Sequence, residues 1–600
     1  MSEFELQLSF RGSVLIGGHS AVPDGAHASH ARLDDGRPMI PASAIRGALR
    51  ESLEGLLRAE GIAACSGGDG VEPRTSRGAQ GGPCQLDEGR PCRACRLFGG
   101  GRRQLPQGER TFSALVLGEA LPGEDIILWQ KRHNVAIDRR RQSAADKMLV
   151  QRQIPEDDLT YVATGRLTSI GGTLKQDFEA AVCATSHIGA GRSSGLARVD
   201  VKVDWTLPEI TARALPEGSD IELSIVLKTP ASIGLPTADG NFKDTRLCIP
   251  GSALRGAVGF ALAEILEDPS DPDFQALVAE NEQGAIFDFL YPVDDLTEAG
   301  AAGPWPLTAR RCKAHLSHGV FDTLLDRIAV DAIDSAEDAA RIADRVLISC
   351  PVAGCGHPLR SPTGGRRAKG LPGVQIVTRV AMDRQRSSAR DQALFTHAQI
   401  ERGTRFVGRI RNIHASGRAH LARALAAPLS LGRARAMGWG AISIEKIEAP
   451  RAAPSIEARA RAFDDALTKH LDRMGLRGDR VGRLIVFTLL SPLLLSPDDD
   501  GRAVLAAALD RSVAWPIVAR RFDLERGWDQ RTGPRKIARA ARAGSVFVAE
   551  LPAGQHWAEV VASLTRLEEQ GAGERTRQGF GRILCFDPFI GEGAGTREHE

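Results

Sequence analysis

The chain repeats itself in a fixed order, and that order limits its fold more than any composition does. "IPASAIRGALRESL" at residues 40–53 returns as "IPGSALRGAVGFAL" at 249–262. "VAIDRRRQSAADKML" at 135–149 returns as "VAMDRQRSSARDQAL" at 380–394, with nine of fifteen positions identical and no gap. Three glycine phrases follow: "GAGRSSGLARVDV" from Gly189, "GRARAMGWGAISI" from Gly432 and "GERTRQGFGRILC" from Gly573. Each has a glycine, five residues and a second glycine, then runs into an alternating stretch that reads as a strand. Such self-similarity marks one supersecondary unit used several times.

Two full modules emerge, residues 1–206 and 215–450. Each reads strand, IP helix, cysteine cluster, VAIDR or VAMDR segment, glycine loop, strand. A third, abbreviated module spans 480–592; it opens on "GRLIVFTLLSPLLLS" and lacks both the IP phrase and a cysteine cluster. Residues 451–479 read as a helical linker and 593–600 as a disordered tail. A chain of 600 residues exceeds one hydrophobic core, which agrees with this division.

The formal net charge of +2 favours no class of partner. Local charge says more: residues 131–152 hold seven Lys/Arg against two Asp. Arginine supplies all but 11 of the 77 basic residues, and guanidinium suits bidentate phosphate binding. No basic stretch followed by an apolar core opens the sequence. No uncharged apolar run approaches the ~20 residues of a membrane span. The expectation is a cytoplasmic chain with no membrane partner, whose ten cysteines serve as metal ligands or core thiols rather than disulfides.

Four motifs carry chemistry. In the IP phrases, Ser43 and Ser252 sit where an N-cap belongs, after Pro41 and Pro250. Arg46 and Arg50, and Arg255 in the second copy, then project near a helix N-terminus and make an anion site with its free amides. The glycine loops allow close backbone approach and hold arginines between their glycines. Their residues are Gly189, Gly191, Arg192 and Gly195; Gly432, Arg433, Arg435, Gly438 and Gly440; and Arg575, Arg577, Gly579 and Gly581. Lys131, Arg132, Arg139 and Arg141, with Arg384 and Arg386 in the second copy, form basic arms suited to a phosphate backbone. The cysteines read as two structural zinc sites. One is Cys65, Cys84, Cys92 and Cys95, in an insertion at about 60–100; the other is Cys312, Cys350 and Cys355, at about 305–360, completed by His315 or His357. Cys183, Cys248 and Cys585 lie in apolar, strand-like sequence and read as buried thiols.

Taken together, the IP-x-S-x-x-RGA phrase, the CxxCxLFG ending, the VAIDR segment and the glycine loop before a last strand resemble the RAMP superfamily of CRISPR-associated subunits. The first module resembles the backbone subunits of type III effector complexes, and residues 215–592 the large RAMP subunit of type III-D systems. The resemblance implies an α+β chain of tandem ferredoxin-like, RRM-like modules with zinc-binding insertions. It implies CRISPR RNA, target RNA and other type III subunits as partners, with the VAIDR segment in a thumb-like hairpin. In backbone subunits of the family, a loop aspartate before the IP phrase cuts target RNA. Here that place falls at or near His27, with Asp24 close by, while Asp34 and Asp35 read as turn residues and Asp239 and Asp244 stand off the expected place. Three activities stay open: an RNA-holding scaffold, a target-RNA nuclease using Asp24 with His27 or His30 and a divalent metal, and guide-RNA processing through His19, His27 or His30. An adaptor that never touches RNA is the further alternative.

Overall fold

Alternating apolar residues build the first strand, β1 (Ser2–Phe10), whose Phe4, Leu6, Leu8 and Phe10 all turn to one buried face. In helix α1 (Ala42–Ala59), Ile45, Leu49, Leu53 and Leu57 recur at helical spacing and cover that face. The computed structural model describes all residues except 1, 18–25, 34, 63, 65–85, 88–89, 100–112, 125–126, 169–172, 207–210, 236–240, 267–269, 282–283, 295–301, 334, 369, 384–387, 477–482, 530–532, 553 and 593–600.

After α1 come β2 (Leu115–Pro122), a long hairpin of β3 (Trp129–Asp138) and β4 (Ser143–Pro155), β5 (Thr160–Leu167), α2 (Thr173–Ala184) and β6 (Val199–Thr206). The sheet order is β2-β5-β1-β6, antiparallel throughout. The second set follows the same path: β7 (Ile221–Leu227), α3 (Gly251–Ile265), β8 (Ile286–Phe287), helix α4 (Leu324–Asp331) in an insertion, hairpin β9 (Val374–Asp383) and β10 (Ser388–Ile400), β11 (Arg405–Arg411), α5 (Arg418–Ala426) and β12 (Ala441–Glu448). Its order is β8-β11-β7-β12. Helix α6 (Ile456–Arg473) leads to the third set: β13 (Arg483–Leu489), α7 (Arg502–Leu509), β14 (Ala514–Ala519), hairpin strands β15 (Phe522–Glu525) and β16 (Ala538–Ala541), β17 (Val546–Leu551), α8 (Trp557–Gln570) and β18 (Ile583–Cys585). The order is β14-β17-β13-β18. Three times, then, a βαββαβ path gives the strand order second-third-first-fourth, the ferredoxin-like arrangement. Each time a hairpin is inserted between the second and third strands.

Four expectations need correction. Ser43 and Ser252 are not N-caps: Pro41 and Pro250 hold that place, the helices begin at the next residue, and no side chain caps them. An extended proline lets the helix start immediately, which moves each serine to the second helical position. The second correction concerns α6, which is no mere linker. Ile456, Ala460, Phe463 and Leu467 are buried in the third core. Third, the two cysteine clusters do not occupy equivalent places. Cys92 and Cys95 precede the second strand of their module, whereas Cys312, Cys350 and Cys355 follow it. Fourth, Cys183 is exposed because it falls on the outer side of α2 rather than in a strand, and Cys248 is only partly buried; Cys585 is buried.

Successive modules join head to tail through the glycine loops. Gly438 of the second loop lies on β2 of the first module, where an added Cβ would strike Leu117 O. Arg46 from α1 donates to Ala436 O in that loop at 3.0 Å. Gly579 of the third loop lies likewise on β8, against Phe287 O. There Gln578 donates to Glu280 at 2.6 Å and Arg577 to Gly284 O at 3.0 Å. A buried Arg411–Asp288–Arg582 cluster, with both ion pairs at 3.0 Å, stands beside this second joint.

Candidate nucleic-acid interface and metal centre

A cavity of about 720 Å³ opens where the N-terminus of α3, the second glycine loop and the third module's hairpin converge. The first turn of α3 carries no side-chain cap, so its leading amides point outward without an acceptor from that source. Ser252 sits at this end. Arg433 packs across Gly234, and its Nη1 is buried with no hydrogen-bond partner. Burial holds its pKa below the usual range, with Arg526 nearby adding to the effect. Lys243, Arg435 and Arg526 also line the wall. The one acid among the described residues that line it, Glu525, is already committed: it binds Arg246 bidentately at 2.6 and 2.8 Å. His397 is depressed by burial and then by Arg433, Arg379 and Lys243, so it is neutral at pH 7. Its Nδ1 has no partner, and its ring stands edge-on to Trp439 at 5.3 Å. A half-buried guanidinium whose Nη1 is buried and unused, surrounded by further cations, is chemically a site for an anion.

The first module has a related corner, but its arginines serve differently. Arg46 donates to Leu115 O at 2.8 Å, to Ser113 Oγ at 2.9 Å and to Phe98 O, besides Ala436 O. Burial lowers its pKa to about 10. Its guanidinium is therefore consumed by protein carbonyls. Arg50 is held by Glu54 at 2.8 Å, Gly99 O at 2.9 Å and Cys95 Sγ at 3.4 Å, and Arg255 by Val278 O and Glu280. Ser43 Oγ accepts from Arg379 of the second module's hairpin at 2.7 Å, and Arg379 lies over Trp439. In the glycine loops, Arg192 pairs with Glu51 at 3.2 Å and Arg575 folds back onto Gln578 and Phe580.

On the first module's hairpin, cations remain in solvent. Lys131, Arg139 and Arg141 are exposed, Arg132 partly so, and Asp138 Oδ1 shapes the tip by accepting the amides of Arg140 and Arg141. Val135, Ile137, Met148 and Leu149 are exposed on the same hairpin, an apolar blade among positive charges. Arg384 and Arg386 at the second tip lie outside the described residues.

Of the loop before the first IP phrase, His19, Asp24 and Asp34 lie outside the described residues, as does Asp239 in the second module. His27 is exposed, and its Nδ1 accepts the Gln151 amide at 3.0 Å. His30 is buried, with Nδ1 accepting from Ile16 N–H at 3.2 Å, and burial pushes its pKa down to about 4. It is thus a buried, neutral residue at pH 7. Asp35 is a turn residue paired with Arg37 at 2.9 Å, and Asp244 binds the Thr245 amide.

Of the first cysteine cluster, Cys92 and Cys95 are fully buried beside the short helix Arg93–Phe98. Cys65 and Cys84 lie outside the described residues. The second cluster is compact. Cys312, His315, His318 and Cys355 each offer a ligand atom, all within 4.8 Å of one another. Tetrahedral zinc, with Zn–S near 2.3 Å and Zn–N near 2.05 Å, demands edges of about 3.8 Å between sulfurs and about 3.5 Å between sulfur and nitrogen. Within that group the separations are 3.7 Å for Cys312–Cys355, 3.5 Å for Cys355–His315 and 3.9 Å for Cys312–His315; Cys350, expected as a ligand from the sequence, is not in it, although its sulfur lies 3.4 Å from His318. Those edges fit zinc. Burial opposes ionisation of Cys312, but the amides of His315 and Ala314 and the neighbouring thiol bring its pKa to about 6. Cys350 is raised to about 11, by burial first and by its sulfur neighbours next. The sequence reading missed His318, although Cys-x2-His-x2-His is visible at 312–318. His357 stacks near His315, with ring centres 5.3 Å apart, and is not in the ligand group.

The chain is thus a tandem βαββαβ protein with a cationic cleft and a zinc-type knuckle. Residues 7–199 match the family model of the RAMP superfamily. Two solved structures are similar to parts of the chain. One is a chain of a "Type IV-B CRISPR Complex", at 16% identity over 36% of this chain and 95% of that one, with a TM-score of 0.25. The other is a chain in "Cryo-EM structure of the Type III-B Cmr-beta bound to cognate target RNA", at 14% identity over 34% of this chain and 60% of that one, with a TM-score of 0.23. No curated protein matches in sequence. Among the described residues, no helix is long and apolar enough to cross a membrane.

Proposed function

We propose that the chain is a CRISPR RNA-binding scaffold subunit of a type III interference complex, holding guide RNA and the guide–target duplex beside other subunits of that complex. The observation that carries this reading is the cleft at the second joint, where Arg433 keeps a buried, unpartnered N–H among Lys243, Arg435 and Arg526. A phosphate there would meet the α3 amides and the guanidinium together, and Trp528, exposed at the rim, offers a face for a base. The RAMP match of the first module and the internal copies of its motifs support an RNA ligand over a small anion. The hairpins, with cations flanking an apolar blade, suit a strand laid across them. Zinc at the Cys312 cluster, and at the Cys92–Cys95 corner with Cys65 and Cys84, would be structural.

The test is affinity for single-stranded RNA across a salt series. Each phosphate contact contributes a slope of about −0.7 for single strands. Arg433→Ala should weaken binding without regard to sequence and flatten the slope by about that amount. Affinity that ignores salt, or a variant that binds as the parent does, would defeat the proposal.

A further inference from the structure

Among the side chains that line the cationic cleft, His397 is the one that an anion does not explain. It lies on β10, with Lys243 paired beside it on one neighbouring strand and Val377 of β9 on the other. Its ring stands between two aromatic rings, Phe395 at 87° and Trp439 at 83°, each with ring centres 5.3 Å away. Those edge-on contacts restrain the ring plane, and with it the direction of both ring nitrogens. Burial first, and then Arg433, Arg379 and Lys243, oppose its protonation. Its Nδ1 is buried without a hydrogen-bond partner.

A buried polar atom left without a partner is destabilising. A phenylalanine would make the same two ring contacts with no such loss. What the imidazole adds is a neutral donor and acceptor in a wall of positive charge. A phosphate does not call for it, because Arg433, Lys243, Arg435 and Arg526 already line the cleft. The group it suits is uncharged and both gives and takes a hydrogen bond. On a strand whose phosphate meets Arg433 and whose base lies on Trp528 at the rim, the part between them is the sugar. A 2′-hydroxyl is donor and acceptor at once, present in RNA and absent from DNA.

We propose that the imidazole of His397 hydrogen-bonds the 2′-hydroxyl of the nucleotide held in the cleft and so makes the cleft select ribose over deoxyribose. The inference rests on the RNA reading of this cleft and adds to it the residue that chooses the sugar. A site built to meet a hydroxyl rejects the analogue that lacks it, because the protein's polar group is then left unpaired. The surrounding cations contribute nothing to that choice, since RNA and DNA carry the same phosphates.

The experiment measures dissociation constants of the full chain for one single-stranded sequence, made as RNA and as DNA, at several salt concentrations. It is repeated with His397→Phe and His397→Gln, each checked for an unchanged melting temperature. In His397→Phe, which keeps a ring between Phe395 and Trp439, the preference for RNA should fall about five- to tenfold. The fall should come from weaker RNA binding alone, with the salt slope as in the parent. His397→Gln, which retains a donor and an acceptor, should keep more of the preference. An unchanged preference in His397→Phe, an equal loss for RNA and DNA, or a loss that follows base identity when the sequence is varied would overturn the proposal. If the parent binds both strands equally and with the expected salt dependence, the scaffold reading stands and the sugar-selecting role alone falls. If it binds neither strand in a salt-dependent way, the scaffold reading falls and takes this inference with it.

Discussion

Arg46 and Arg433 are one residue type put to opposite uses, and the difference lies in what surrounds each guanidinium. Around Arg46 the chain supplies three backbone carbonyls and a hydroxyl, so both Nη groups of the fork are met inside the protein. Around Arg433 it supplies glycine, a neutral histidine and more positive charge, which leaves an N–H in want of an anion. A buried histidine in the first module makes a third case. His30 has a folded pKa of about 4 against about 6.5 when unfolded. Between those values the unfolded chain binds more protons, so stability is full above pH 6.5 and drains away as pH falls toward 4. The loss should approach about 3 kcal/mol. Melting temperatures of the parent should drop over that window, and His30→Asn, which keeps an acceptor for the Ile16 amide, should flatten the dependence. Equal slopes in the two proteins would assign the acid sensitivity to other groups.

At the level of elements, the repeat was legible because its marks are backbone demands. A turn with four positive φ angles calls for glycine at most of those places, and a proline-led helix after a strand keeps its phrase. Side-chain assignments were less legible, since an arginine near a helix N-terminus can face solvent or a neighbouring module with the same sequence around it. Arg46 and Arg50 illustrate this: their acceptors at Phe98, Gly99 and Ala436 come from segments far along the chain. The metal knuckle was half legible. Cys312, Cys355 and His315 stood out, but exchanging Cys350 for His318 as the fourth ligand needed the fold of the short strands around them. His318→Ala and Cys312→Ser should each lower bound zinc, measured by mass spectrometry of the metal in purified protein, by about one equivalent per chain relative to the parent. His357→Ala should leave that equivalent in place; zinc lost with His357 and kept without His318 would reverse the assignment.

Across the whole molecule, the second module's knuckle does not stay with its own module. The strand Val320–Asp322 leads directly into α4, whose Leu324, Leu325 and Ile328 are buried in the third core with Phe463, Phe487 and Phe547. Asp326 of α4 also pairs with His470 of α6 at 3.1 Å, and Arg366 with Asp587. Removing zinc with a chelator should therefore speed amide hydrogen exchange in β13 and β17, as well as in the knuckle. Faster exchange limited to residues 309–360 would mean that the clasp is not coupled to the core.

That shared core also sets a timetable for synthesis. A ribosome that has finished α4 has still to make everything from there to Ile590 before the third core is complete. At ~5–20 residues per second this is on the order of tens of seconds. Until α6 has been made, Leu324, Leu325 and Ile328 have none of their third-core partners to cover them, on a chain whose first module already has all of its own core residues. The nascent chain thus carries a sticky helix held out from a half-finished array, and a chaperone would find its binding surface there.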